Sequence, residues 1–292
     1  MSVQSQYRTV FLLAVAQALA NSCTSVFATV SALTGQMLAA DPRLATLPLS
    51  LQFVVTMATT IPVAHMMHRL GRRNAFFIGA LVGATGGGIA MASIYQNSFA
   101  MFCVGNAIMG ASNAFALQLR FAAAEAADDL FRPKAISLVL AGGIVAAIIG
   151  PRLATIGVDL FAPFTFAGAF LFVALLSLGM IPPLIPLRFP PATTAETTGS
   201  QRPLAEIIRQ RAFVAALFAA IFGYGTMVFV MTATPLAMKF CGFAIGSTAT
   251  IISFHILGMF APSFVTGHVI RRFGERKVLL AGTACYAGTV AF

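Results

Sequence analysis

The chain has 292 residues, of which 59% are hydrophobic and 9% charged, with a mean hydropathy of +0.90. Charged residues make up about a quarter of an ordinary soluble domain, so a soluble globular protein is excluded. The net charge of +10 would suggest nucleic acid in a soluble chain, but in a lipid-embedded one it belongs to the loops, and no nucleic-acid partner is expected.

Apolar blocks long enough to cross roughly 30 Å of hydrocarbon at about 1.5 Å per residue predict spans near 10–35, 45–67, 74–96, 99–123, 135–157, 163–186, 212–236, 245–268 and 278–292. Ala20-Asn21-Ser22-Cys23 looks superficially like a lipoprotein cleavage site, yet the first apolar stretch runs on to Met37, so an uncleaved span is expected. Span one carries Gln17, Asn21 and Thr24 on one helical face, and span two carries Gln52. Gly79, Gly83 and Gly87 in span three form a packing seam. In span four Asn106, Asn113 and Arg120 recur every seven residues, again one stripe. Arg152 lies near the far end of span five, where an interface anchor is expected. The polar, Pro- and Thr-rich stretch 189–211 reads as a linker with an amphipathic Leu204–Ile208 piece. His255 is the one histidine well inside a span. The ninth segment stops at Phe292 without a polar flank, as the last helix of a shortened chain would.

Chemistry on covalent bonds finds no support. Cys23, Cys103, Cys241 and Cys285 have no disulfide or metal spacing, His65-x-x-His68 lacks the glutamate of a zinc protease, and no nucleotide-binding glycine loop occurs. Neither an enzyme nor a cofactor is expected.

Sidedness follows from the basic residues. Arg8, Arg69, Arg72, Arg73, Arg132, Lys134, Arg188, Arg202, Arg209, Arg211, Arg271, Arg272, Arg276 and Lys277 fall on one side, against Arg43 and Lys239 on the other. Lys and Arg favour the cytoplasmic side of short loops, which places the N-terminus inside. An internal repeat reinforces the layout: His65–Arg73 matches His268–Arg276 at an offset of 203 residues, which also pairs Thr29 with Thr232, Leu33 with Leu236 and Gln52 with His255.

Ala64-x-x-x-His68-Arg69-Leu70-Gly71-Arg72-Arg73 and its copy through Arg271, Arg272, Gly274, Arg276 and Lys277 resemble the loop after span two of the major facilitator superfamily, which reads roughly G-x-x-x-D-R-x-G-R-R. Here His68 replaces the acidic member. Gly150-Pro151, amid Gly142, Gly143, Ala146, Ala147 and Ala154, is similar to the centre of a motif of the drug–proton antiporter branch, and Asp128–Pro133 resembles the usual end of span four. The resemblance implies an all-α membrane protein with a six-helix N-terminal bundle (1–188), a cytoplasmic linker (189–211) and a partial, about three-helix C-terminal bundle (212–292), the family's last three spans being absent. It implies a secondary transporter of a small organic solute in a bacterial inner membrane, with export by proton exchange favoured by Gly150-Pro151. It further implies that Gln17, Asn21, Gln52, Asn106, Asn113, Arg120 and His255 line a central cavity, where Arg120 would clasp an anionic group. His68, Arg69, Gly71, Arg72, Arg73, Gly150, Pro151, Arg272, Gly274 and Arg276 would govern the conformational cycle. The plainer readings are interhelical hydrogen bonds for the amides, and snorkelling or pairing with Glu125 or Asp128 for Arg120. A non-transporting receptor or degenerate remnant is the second functional reading.

The charge asymmetry generates a direct test. In a background lacking the four native cysteines, a single cysteine at position 239 is expected to react with an impermeant reagent added to whole cells, and one at position 200 to be protected. The reverse pattern would overturn the orientation.

Overall fold

The computed structural model describes residues 3–128, 130–187, 189 and 204–290. Hydrocarbon offers no hydrogen bonds to a bare backbone, so each apolar segment must satisfy its own peptide groups as a helix. In chain order these are α1 (Val3–Leu38), α2 (Leu47–Leu70), α3 (Arg72–Tyr95), α4 (Phe99–Ala116), α5 (Leu119–Ala126), α6 (Arg132–Gly157), α7 (Ala167–Gly179), α8 (Ile181–Leu184), α9 (Leu204–Ile208), α10 (Arg211–Phe240), α11 (Ile245–Phe260), α12 (Ser263–Phe273) and α13 (Glu275–Val290). Every one of these elements is a helix, as expected of an all-α membrane protein. Among the described residues eight helical segments are long and apolar enough to cross a bilayer. The predicted ninth span forms α13, whose 16 residues fall short of the 18 of the shortest of those eight segments. Most of the 189–211 linker lies outside the described residues, and its amphipathic piece is α9.

Three spans that read as continuous in the sequence are interrupted, span six at Met180 between α7 and α8. Span four tightens at Leu117 and Gln118, where Gln118 N–H donates to the Phe115 carbonyl in an i to i+3 bond, separating α4 from α5. Span eight breaks at Pro262, whose ring removes a donor and clashes with the preceding turn.

The most extensive interhelical contact joins α1 to α6. A Cβ on Gly142 would stand 2.8 Å from Ala18 N, and one on Gly150 would stand 2.5 Å from the Ser25 Cβ. Glycine thus lets the two backbones approach closely. The glycine seam of α3 works the same way: Gly79 faces Phe115 of α4, Gly83 faces Ser112 and Ser177, and Gly87 faces Ala174 of α7. α10 packs on α1, and α11 lies along α6, where Ala147, Ile252 and Ile256 form a buried cluster. Gly143 faces the ring of Phe260.

The repeat is visible in the backbone. Gly71 has φ 80 and ψ 151, and Gly274, its counterpart 203 residues on, has φ 81 and ψ 153. This region is open essentially to glycine alone, and at both sites it turns the chain from one helix directly into the next. Gly71→Ala or Gly274→Ala is expected to cost about 1–3 kcal/mol of strain, seen as a lowered melting temperature in detergent. Gly88→Ala is the control: it lies inside α3 with open space where its Cβ would go, and should be neutral or slightly stabilising.

Candidate functional site

Contacts within the first eight helices gather the N-terminus, the α2–α3 turn and the α5–α6 junction at one end. Asp128 N–H donates to Gln6 Oε1 at 3.4 Å, Asp128 Oδ1 accepts from Phe131 N–H at 2.8 Å at the start of α6, and Arg72 forks onto Glu125. The opposite end carries the α1–α2 connection and the meeting of Lys239 with Gln36.

The α1 stripe is oriented by the α1–α6 seam. Ala14, Ala18, Ser22 and Ser25 face α6, and at about 100° per residue Gln17, Asn21 and Thr24 lie roughly a quarter turn away. Gln17 Nε2 donates to Asn21 Oδ1 at 2.9 Å, so the two amides form one unit with its second oxygen and second nitrogen left for another partner. Further along α1, Ser31 Oγ donates to Asn106 Oδ1 at 2.8 Å, while Asn106 Nδ2 donates to the Phe102 carbonyl at 2.9 Å. Asn106 is fully buried, and its amide is consumed in tying α4 to α1. α1 and α4 run antiparallel, so counting seven residues from that bond sets half-buried Asn113 level with Thr24, one turn from Asn21.

Gln52 is buried against α4. Its backbone oxygen would stand 2.3 Å from a Cβ at Gly110, and Thr56 Oγ1 is within reach of both the Gln52 carbonyl (2.8 Å) and the Gly110 carbonyl (2.9 Å). Its Oε1 has no partner, and neither does Nε2 of His255, its repeat counterpart. His255 lies beside a groove of about 820 Å³ between α10 and α11, with Tyr224, Met227, Phe254, Gly258 and Met259. At the 203-residue offset this groove corresponds to the surface of Asn21, Thr24, Gln52 and Thr56 on α1 and α2, part of which α4 covers at Gly110.

Arg120 stands apart from this set. The turn at Leu117 and Gln118 interrupts the seven-residue stripe, and Arg120 is exposed, with its guanidinium 4.9 Å from the Phe121 ring centroid. Neither expected acid pairs with it: Glu125 is held by Arg72, and Asp128 accepts from the Phe131 N–H just ahead of α6.

At the basic end, Arg72 Nε donates to Glu125 Oε2 at 2.6 Å and its second nitrogen meets Oε1, a bidentate bridge from α3 to α5. Arg73 stacks over Phe77 at 5.4 Å and Arg272 over Phe273 at 5.5 Å, while His68, Arg69 and Arg276 are exposed. Gly150 and Pro151 are buried inside α6, and Gly150 lies against α1. At the other end Lys239 Nζ donates to Gln36 Oε1 at 3.0 Å. These two residues are themselves 203 apart, so equivalent positions of the repeat meet, as they do on a two-fold axis relating two halves. Phe53 of α2 meets Tyr224 of α10 edge-on, centroids 6.5 Å apart. Sequence reasoning missed Ser31, Gln36, Phe53 and Tyr224 as members of this region; the offset that pairs Gln36 with Lys239 was the available signal.

The Major Facilitator Superfamily model matches residues 10–292. The riboflavin transporter RfnT of Brucella anthropi is 42% identical over 284 residues, which cover 96% of this chain and 71% of that protein. Two MFS-type transporters of Bacillus subtilis, YdeG and YddS, are 29% and 28% identical, and the chain spans 70% and 64% of their lengths. The chain belongs to the major facilitator superfamily, a family of membrane transporters.

The Arg72–Glu125 bridge joins two helix ends at the basic side, so its loss should act on conformational exchange more than on affinity. Arg72→Ala and Glu125→Gln are each expected to lower the transport rate while leaving substrate affinity within about twofold, since an exposed pair contributes only about 0–1 kcal/mol. Parallel measurement of binding and flux checks this; a rate unchanged in both variants would remove the bridge from the cycle.

Proposed function

We propose that this protein carries riboflavin, or a solute with the same planar, imide-bearing ring system, by alternating access between its two helical halves. The observation that carries the reading is the 42% identity, over 96% of the chain, with a protein named as a riboflavin transporter. The geometry supports it. The linked amides of Gln17 and Asn21, with Thr24 and Asn113 level with them, offer donors and acceptors that match an imide edge. Phe53 and Tyr224 supply aromatic surface from the two halves. A neutral flavin needs no guanidinium, so on this reading Arg120 plays no part in recognition, and Asn106 and Gln52 brace α1, α2 and α4.

The moving units are 1–188 and 212–292, joined by the 189–211 linker, with the N-terminus on the cytoplasmic side of a bacterial inner membrane. Gly71, Arg72 and their neighbours act at the basic end, and Gln36 with Lys239 at the other. Export in exchange for protons rests on the Gly150-Pro151 resemblance, and Gly150 packs closely on Ser22 and Ser25. Direction is therefore a matter for flux measurement under an imposed pH gradient, with His255 as the midspan group able to carry the proton.

Reconstituted protein is expected to quench riboflavin fluorescence on binding and to move riboflavin across vesicles. Asn21→Ala or Asn113→Ala should each weaken binding about tenfold, the loss of one hydrogen bond from a desolvated site. Absence of both binding and flux would sink the flavin reading.

A further inference from the structure

Arg152 is unused by the protein's own contacts. Among the described residues no carboxylate lies within ion-pair distance of it, and no hydrogen bond or ring contact engages it. It sits on α6 about 8 Å short of the helix end. Gly142, Ala146, Gly150 and Ala154 are buried, Gly142 and Gly150 directly against α1; two residues beyond Gly150, Arg152 lies about 200° further round the helix and is exposed. There it borders a groove of about 430 Å³ between α6 and α11, with Thr155 and Ile156 on one wall and Thr250, Ser253 and Phe254 on the other.

The three hydroxyls each donate to the carbonyl one turn back, Thr155 to Pro151, Thr250 to Gly246 and Ser253 to Ala249, all at 2.9 Å. They therefore offer acceptors, and the guanidinium holds the groove's free donors. The surroundings are apolar and open: Ile148 is 51% exposed, Ile156 59% and Phe254 68%. In a membrane helix such a surface faces acyl chains. A guanidinium at that boundary anchors the helix to the interface, and with its fork unpaired by protein groups its planar geometry matches a phosphate.

We propose that this groove seats an anionic glycerophospholipid, with its phosphate on Arg152 and one acyl chain along Ile156 and Phe254. The occupant is a lipid and not a free phosphate ion, because the walls beside the guanidinium are apolar side chains open to hydrocarbon. The assignment is independent of what the protein carries.

The chain contains no tryptophan, so Ile156→Trp places a single fluorescent reporter on the rim of the groove. The protein is reconstituted in phosphatidylcholine vesicles and titrated with phosphatidylglycerol whose acyl chains are brominated and quench tryptophan. The control reporter is Ile61→Trp, on an exposed face of α2. Phosphatidylglycerol is expected to be preferred about fivefold at position 156 relative to position 61. Arg152→Gln should abolish the preference, and Arg152→Lys should keep part of it, since the charge stays and the fork is lost. Brominated diacylglycerol, which lacks the phosphate, should show no preference at either position. Equal preference at 156 and 61, a preference that survives Arg152→Gln, or one shared by diacylglycerol would overturn the proposal. Displacement of the lipid by inorganic phosphate would assign the site to the free ion and overturn the lipid as its occupant. Circular dichroism of each variant confirms that the helices are intact.

Discussion

In a bilayer no hydrophobic force draws one helix to another, because the lipid is as apolar as the side chains, and association rests on close packing and on polar groups that bridge. The contact between α1 and α6 meets that constraint, and the rest of the molecule is arranged around it. Gly142 and Gly150 admit the backbone of α1 to distances that any Cβ would forbid. With that face of α1 committed to α6, its amide-bearing face must turn toward α4 and α10. The Ser31–Asn106 hydrogen bond then sets the register between α1 and α4, and the register sets Asn113 level with Thr24.

The same frame explains why the two halves touch where they do. α6, held by α1, presents its other side to α11, and α1 presents its far end to α10, so the halves meet at Gly143–Phe260, Phe53–Tyr224 and Gln36–Lys239. Gln36 and Lys239 occupy equivalent positions of the repeat, which makes their contact the local expression of an approximate two-fold relation. At the basic end the first half has its own tie, Arg72 on Glu125.

Much of this was legible in the sequence because it depends on one-dimensional quantities. Span positions follow from hydropathy, and the turn at Gly71 and Gly274 follows from a glycine flanked by arginines at a fixed offset. The α1 stripe follows from helical periodicity. What the sequence hid is tertiary. Asn106 and Asn113 are chemically alike and seven residues apart, yet one is spent on Ser31 and the other is half-buried beside the α1 stripe; only the depth of helix contact separates them. Arg120 read as a stripe member because seven-residue spacing assumes an unbroken helix, and the tightened turn at Leu117–Gln118 removes that assumption. Glu125 was a candidate partner of Arg120 in the sequence and is half of a bidentate bridge with Arg72 in the fold, 53 residues away.

In the proposed cycle two repeat-related halves rock about a site between them, closing one end as the other opens. Spin labels at 36 and 239 report one end, and labels at the repeat-equivalent exposed positions 69 and 272 report the other. Pulsed dipolar distance measurements on both pairs, with and without riboflavin, test the claim most directly. The expected result is anticorrelation: the ligand changes the populations so that one distance lengthens as the other shortens. Two distances that stay fixed through the titration, or that lengthen together, would contradict it.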